Sequence, residues 1–216
     1  MARVRVRQHV NPLSNRYQQS IFIPDWSQVY SNLSLPFHLD LGCARGRFLL
    51  QMAQENPQRN YLGVEIREAL VTEANDIKDE YNLTNLYYVF GNINHSLTNL
   101  LASLPPNSLE LVTIQFPDPW FKKKHQKRRV VQSEIVEILA QFLSPKGQVF
   151  LQSDIKEVAQ EMLDRFLENP HFSPLKSEIW ISQNPLEVMT EREIATINKG
   201  EPIYRTILKV TNKDNN

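Results

Sequence analysis

His38-Leu-Asp-Leu-Gly-Cys-Ala-Arg-Gly-Arg-Phe48 reads as a strand that runs into a glycine-bearing turn and then into a helix. The strand occupies 37–41 and the turn 42–46, and the helix carries Phe48, Leu49, Met52 and Ala53 on one face before stopping near Asn56-Pro57. Gly42 and Gly46 let the backbone come close to a ligand, and the helix start adds free N–H groups and a positive dipole end.

Outward from this unit the same alternation repeats. A strand at 61–65 precedes a helix with Leu70, Ala74, Ile77 and Tyr81 at helical spacing, and a strand at 86–90 leads through the turn 91–94 into a short helix before Pro105-Pro106. A strand at 109–114 follows, and then a helix with Val131, Ile135, Ile138, Leu139 and Phe142 inward, stopped by Pro145. A strand at 149–151 feeds a helix with Ile155, Val158, Ala159, Met162, Leu163 and Phe166, and strands at 175–181 and 203–210 are expected to close the chain. Strands alternating with helices predict an α/β fold with right-handed crossovers and a mostly parallel sheet covered on both faces. Ligands in such sheets bind outside the carboxyl ends of the strands, where the strand order reverses, which gathers Asp40, Gly42, Glu65, Asn92, Asp118 and Asp154 along one rim.

Residues 1–35 read as a basic arm packed on a main domain of residues 36–216. Arg3, Arg5 and Arg7 alternate with valines, a pattern that fits either a short edge strand with a wet basic face or a contact with RNA. The 216 residues carry 24 basic and 24 acidic side chains, yet the zero net charge hides an uneven distribution. Arg3 to Arg7 and the run from Lys122 to Arg129 are basic, whereas Glu55, Glu65, Glu68, Glu73, Asp76, Asp79 and Glu80 are acidic, so local patches decide partner binding. One cysteine, Cys43, excludes an intrachain disulfide and a multi-cysteine zinc site and points to a reducing cytoplasm. It reads as a small buried filler rather than a nucleophile, since no histidine is near it in sequence. No apolar run approaches the roughly 18 residues that span a bilayer, and the start lacks a signal-peptide core, so neither export nor membrane insertion is expected. The chain leaves monomer and homodimer equally open.

The spacing Gly42, Ala44, Gly46 departs from the dinucleotide pattern G-x-G-x-x-G, and Asp40 stands just ahead of it. A carboxylate there would repel a pyrophosphate but suits an ammonium. S-adenosylmethionine carries an ammonium, a sulfonium and a ribose diol. Asp40 fits its methionine end, Glu65 can accept both ribose hydroxyls, and Asn92 can face the adenine amine. The competing reading is a strand-turn-helix that binds nothing.

Ser108 to Arg129 passes from a buried strand into a stiff acidic corner and then a cationic arm. Pro117 and Pro119 bracket Asp118 and restrict the backbone that holds its carboxylate. Trp120 and Phe121 offer flat apolar faces, and Lys122, Lys123, Lys124, Lys127, Arg128 and Arg129 can neutralise phosphates. Together they suit chemistry on a nucleic-acid base; taken separately they describe a proline-stiffened surface turn and a solvated charge run.

Phe116-Pro-Asp-Pro-Trp-Phe-Lys-Lys-Lys-His-Gln-Lys-Arg-Arg129 resembles the signature F-P/S-D-P-W-x-K-x-R/K-H-x-K-R-R of the bacterial single-subunit tRNA (guanine-N7-)-methyltransferases, and the similarity runs from about Phe37 to Val210. The resemblance implies a class I S-adenosylmethionine-dependent methyltransferase fold, Rossmann-like, with a seven-stranded mostly parallel sheet. It implies methyl transfer to N7 of the guanine at position 46 of the tRNA variable loop, with no metal. It places cofactor contacts on Asp40, Glu65, Asn92 and Asp118, with Asp118 also the catalytic residue. Substrate contacts fall on Lys122, Asp154, Thr190, Glu191, Arg192 and Glu193, and RNA contacts on Lys124, His125, Gln126, Lys127, Arg128 and Arg129. Three departures stand out: Asn92 where many members have aspartate, Asp40 for a frequent glutamate, and Arg192 where an aromatic is common.

Guanine N7 has a free lone pair, so positioning rather than proton removal is expected to dominate catalysis. Asp154 with Glu157, and Thr190 with Glu193, also fit helix capping boxes, a role compatible with substrate contact. His125 fits a phosphate or packing contact better than a base. Two other functions share these features: methylation of an exocyclic amine by a related enzyme, and RNA binding by a chain with a degenerate pocket.

Overall fold

The computed structural model describes residue 6 and residues 10–211, so Arg3, Arg5 and Arg7 lie outside the described residues. β1 (Phe37–Leu41) and β2 (Asn60–Glu65) are buried at every position, which marks them as central strands covered on both faces. β3 (Leu86–Phe90), β4 (Leu109–Gln115) and β5 (Gln148–Ser153) complete a parallel set. β6 (Phe172–Pro174) and β7 (Tyr204–Val210) form the far edge, with β7 antiparallel to both β5 and β6. The order β3-β2-β1-β4-β5-β7-β6 reverses direction between β1 and β4, and this opens a crevice at their carboxyl ends.

Side chains that alternate along each strand divide the interior into two layers. Phe37, Leu39, Leu41, Leu62 and Val64 face α4 (Ile93–Ala102), α5 (Ser133–Phe142) and α6 (Lys156–Leu167). Tyr61 and Tyr88 face α2 (Arg47–Glu55) and α3 (Glu68–Glu80), meeting Phe48, Leu49, Met52, Val71 and Ala74. Ile77 and Tyr81 contribute less than their spacing suggests: α3 buries Leu70, Val71 and Ala74, and Tyr81 is exposed at its end.

The N-terminal region is bound into the first layer. A single helical turn, α1 (Trp26–Val29), puts Trp26 at 6% exposure, with its Nε1 donating to Ser103 Oγ at 2.9 Å. Tyr30 donates to the Tyr61 carbonyl at 3.0 Å and meets the Phe37 ring edge-on at 5.0 Å.

Two elements differ from expectation. The strand expected at 175–181 is β6, at 172–174; after the Leu175 N–H reaches the Ile207 carbonyl, residues 176–180 leave the sheet as an irregular stretch that rejoins it where the Ile181 N–H reaches the Arg205 carbonyl. Leu175 and Ile179 remain exposed, because no layer covers the sheet edge there, and without burial their β-propensity has nothing to act on. The apolar periodicity also hides α7 (Glu191–Asn198), signalled only by the capping-box spacing of Thr190 and Glu193; its inward side chains are Glu193 and Thr196 while Ile194 and Ile197 face outward. A helix with a polar inner face shows no apolar stripe.

Trp26→Ala should cost about 3–5 kcal/mol, the range for deleting a large buried aromatic. Urea unfolding of the two proteins measures it; a loss near zero would mean that the Trp26 segment is not integral to the core.

Candidate active site

A cavity of about 620 Å³ lies over the carboxyl ends of β1, β2 and β4. Its floor is the turn after β1, where Gly42, Ala44 and Gly46 all take left-handed φ values of 89°, 51° and 69°. Gly46 has a further reason to be glycine. A Cβ there would stand 2.4 Å from the Tyr88 ring, whose hydroxyl donates to the Gly46 carbonyl at 2.6 Å. Tyr88 therefore props the turn from below and fixes the start of α2.

Asp40, at 5% exposure, accepts a hydrogen bond from Thr113 Oγ1 at 2.6 Å and a longer one from Gln115 Nε2 at 3.5 Å. Because the Thr113 proton goes to Asp40, the 3.0 Å contact between Thr113 and His38 Nε2 is donated by the imidazole. Burial, helped by the Arg59 charge, holds His38 neutral, with its pKa lowered to about 3. Burial also raises the Asp40 carboxyl to about 6, against the pull of its two hydrogen bonds and reinforced by the Glu65 charge. Glu65 is fixed differently. Its two oxygens accept from Ala44 N (3.0 Å), Arg67 N (3.0 Å), Arg67 Nε (2.8 Å) and Arg67 Nη2 (2.9 Å). The hydrogen bonds that Arg67 donates to Glu65, together with the charges of Glu65 and Asp118, keep its guanidinium protonated despite burial. Cys43 is buried at 8% exposure, and burial followed by the Asp40 and Glu65 charges pushes its thiol well above the ordinary range.

Asp118 lines the cavity as well. The flanking Phe116 and Trp120 have φ of 49° and 40°, a conformation that bulky side chains seldom adopt and that must be held by surrounding contacts. Those contacts are visible: Phe116 N donates to the Gln152 carbonyl at 2.8 Å, and Arg129 Nε donates to the Pro119 carbonyl at 2.7 Å. Arg129 is itself buried and ion-paired with Glu161, so it braces the acidic corner rather than facing solvent. Arg128 stacks over the Trp120 ring at 4.9 Å, and His125 meets the same ring edge-on at 5.8 Å. Lys123, Lys124 and Lys127 are exposed along the 3-10 turns of Lys123–Arg128, with Lys122 exposed just ahead of them and Gln126 half-buried. Phe121 is exposed at the rim.

Asp154, Thr190, Glu191 and Arg192 also line the cavity. Asp154 does not cap α6: Ile155 occupies the cap position without a side-chain bond, and Asp154 is ion-paired with Arg192, whose Nε lies 3.0 Å from Oδ2. Thr190 does cap α7, accepting from Glu193 N at 3.1 Å. Glu191 is paired with Arg47 across the cavity mouth. Of the expected substrate contacts, Glu193 and Lys122 do not line the cavity; Lys122 is exposed, and Glu193 is enclosed. Fully buried, it receives Arg205 Nη2 at 2.7 Å and Asn184 Nδ2 at 2.8 Å. Gln152 Nε2 also donates to Glu193 at 3.2 Å and to Gln115 Oε1 at 2.7 Å, and Gln115 in turn touches Asp40, so a polar chain crosses the sheet from α7 to β1.

Asn92 lines the cavity, but its amide points to the N-terminal segment, donating to Pro12 O at 2.8 Å and Tyr17 O at 3.1 Å, while its oxygen caps α4 at Asn94 N. Sequence reasoning missed this contact, and it missed Thr113, Gln115 and Arg67. Thr113 and Gln115, the polar positions at the end of an apolar strand, were the available signal for two of these. Among the described residues, no three His, Cys, Asp or Glu side chains gather as a metal site, and no helix is long and apolar enough to cross a membrane.

A family model described as "Putative methyltransferase" matches residues 34–206. The tRNA (guanine-N(7)-)-methyltransferase of Synechococcus elongatus is 58% identical over 207 residues, which is 96% of this chain and 97% of the relative. That of Microcystis aeruginosa is 54% identical over 210 residues, covering 97% and 100%. Among solved structures, the 16S rRNA methyltransferase KamB superposes with a TM-score of 0.58 at 14% identity, covering 87% of this chain and 93% of that one. The aminoglycoside resistance methyltransferase NpmB1 gives 0.56 at 13%, covering 88% and 95%. At such identities the structural likeness concerns the fold alone, which is that of class I S-adenosylmethionine-dependent methyltransferases.

The Asp40 pKa has a measurable consequence for stability. A carboxyl raised from 3.8 to about 6 on folding binds its proton more tightly in the folded state, so its contribution is complete below pH ~4 and is lost as pH rises through about 6. The loss is on the order of 3 kcal/mol for two pKa units. Asp40→Asn, neutral at every pH and still able to accept from Thr113, should unfold at higher urea than the parent at pH 8, with the difference closing by about pH 4. An unchanged difference across that range would refute the shift.

Proposed function

Since this chain belongs to the tRNA (guanine-N(7)-)-methyltransferase family and takes its methyl group from S-adenosylmethionine, we propose that it methylates N7 of the guanine at position 46 in the tRNA variable loop. The observation that carries the reading is the position of Asp118. It stands on a strained corner in the wall of the cavity that also holds the carboxylates of Asp40 and Glu65, and a run of exposed lysines follows it in the chain.

S-adenosylmethionine supplies a methyl group already activated on a cationic sulfur. The cavity residues fit such a donor. Asp40, the deeply buried acid, receives the ammonium of the methionine end, and that cation offsets the desolvation that raises its pKa. Glu65 takes the ribose diol. All four of its acceptor positions are already occupied, so Arg67 must surrender its two guanidinium hydrogen bonds for the diol to enter. The turn 42–46 lets the chain pass close beneath, with Gly42 and Gly46 as its contacts.

Guanine N7 needs no base, and the chain accordingly has to orient rather than deprotonate. Well-oriented reactants account for roughly 7–11 kcal/mol of barrier reduction in favourable systems. Asp118 touches the purine, either stabilising the positive charge that develops on it or accepting from its N1–H and amino group. Asp154 offers a second acceptor for the same edge, with Arg192 setting its direction, and Thr190 and Glu191 complete that wall. Glu193 acts through Arg205 by holding the start of α7 in place. Lys122, Lys124 and Lys127 face solvent and neutralise tRNA phosphates; His125, Gln126, Arg128 and Arg129 shape the platform that presents them.

Purified protein incubated with labelled S-adenosylmethionine and unmodified tRNA should yield 7-methylguanosine, and replacing the guanine at position 46 should abolish the label. Label at another guanine would overturn the position, and label on an exocyclic amine would overturn the reaction. Asp118→Asn should lower kcat about 10²-fold, the usual cost of removing one charge-stabilising group. The double change Lys124→Ala and Lys127→Ala should weaken tRNA binding and flatten the dependence of log K on log salt by about 0.7–0.9 per lost contact, with donor affinity unchanged.

A further inference from the structure

The end of the cavity next to Glu65 is apolar. Ile66 and Ile93 line the cavity there, as do Val10 and Pro12 of the N-terminal segment. Two features hold this segment against the sheet. Gly91, just after β3, meets Ile21 so closely that a Cβ would lie 2.5 Å from its Cδ1, and Asn92 next to it donates both amide hydrogens to the carbonyls of Pro12 and Tyr17, at 2.8 and 3.1 Å. The segment is a closed unit, with Ser14 N bonded to Asn11 O, Tyr17 N to Ser14 O and Gln18 Nε2 to Pro12 O. It therefore offers Asn92 two acceptors in a fixed relation.

We propose that Asn92 is a positioning residue that fastens residues 10–17 over the cofactor cleft as the wall covering its purine end, and that its side chain does not receive the adenine amine. The inference rests on reading this cleft as the S-adenosylmethionine site. Every polar atom of the side chain is accounted for: two N–H groups meet two carbonyls, and Oδ1 accepts Asn94 N at 3.2 Å. Flipping the amide would set oxygen against the two carbonyls and N–H against N–H, so the surroundings leave one orientation. They also explain the residue type. Aspartate would cap α4 equally well, yet it has no hydrogen to donate and would oppose two carbonyl oxygens with a charge. An amide is required by what lies above it.

The two roles predict opposite results for one substitution. Asn92→Asp keeps the α4 cap and removes only the donors. If Asn92 accepted the adenine amine, a carboxylate would accept it as well or better, and donor affinity would hold or rise. If Asn92 is the fastening, the wall loosens. Calorimetry should then show S-adenosylmethionine binding weakened about tenfold, the value of one or two lost hydrogen bonds. In turnover, KM for the donor should rise while kcat at saturation and KM for tRNA stay near the parent values. Trypsin without any cofactor should cleave after Arg16 much faster in the variant, and this arm reads the fastening whether or not the cleft binds S-adenosylmethionine. Gly91→Ala, which drives Ile21 away with Asn92 intact, should produce the same acceleration of cleavage after Arg16. Unaltered or tighter donor binding in Asn92→Asp, or unaltered cleavage at Arg16 in both variants, would overturn the proposal.

Discussion

The ion pair of Glu193 and Arg205 holds the active face together. Both side chains are buried, at 0% and 7% exposure, and two charges taken out of water are tolerated only where geometry and additional hydrogen bonds satisfy them. Here Gln152, Asn184 and the Ser182 carbonyl provide those bonds. The pair ties α7 to the antiparallel edge of the sheet, and the glutamines carry the connection inward to Asp40. A helix with no apolar inner face is thereby held by polar contacts alone, and the residues at its beginning reach the cavity.

A similar logic governs the acidic corner. Proline on each side of Asp118 limits the backbone, but the left-handed φ of Phe116 and Trp120 is unfavourable and must be enforced from outside. Arg129 enforces it by spanning from the Pro119 carbonyl to Glu161 on α6. Part of the basic run is thus structural. Arg129 braces the loop and Arg128 lies on Trp120, whereas the neighbouring lysines stay in solvent, consistent with guanidinium suiting fixed planar contacts and ammonium suiting mobile ones.

The sequence exposed most of the framework because apolar periodicity reports burial. The five parallel strands and the helices between them bury apolar faces, and their positions were legible to within a residue or two. Legibility failed where burial is polar or absent: α7 packs through Glu193 and Thr196, and Leu175 and Ile179 are apolar without cover. At the site, Asp40, Glu65 and Asp118 could be read from their places at strand ends. The partners that define their chemistry could not, because Thr113, Gln115, Arg67 and the Pro12 carbonyl approach only through the fold. The position of Glu193 beneath the cavity wall, and Asn92 turned toward the N-terminal segment, are tertiary facts of the same kind.

The lone thiol gives the molecule an internal reporter. Cys43 lies in the turn between β1 and α2, near Tyr88 and the carboxylates of Asp40 and Glu65, and both access and ionisation are suppressed there. A thiol-modifying reagent meets it at the floor of the cavity, where little of its surface is exposed. Its rate of reaction would therefore report on access to that floor, amid an otherwise silent background, since no other sulfhydryl exists in the chain to compete.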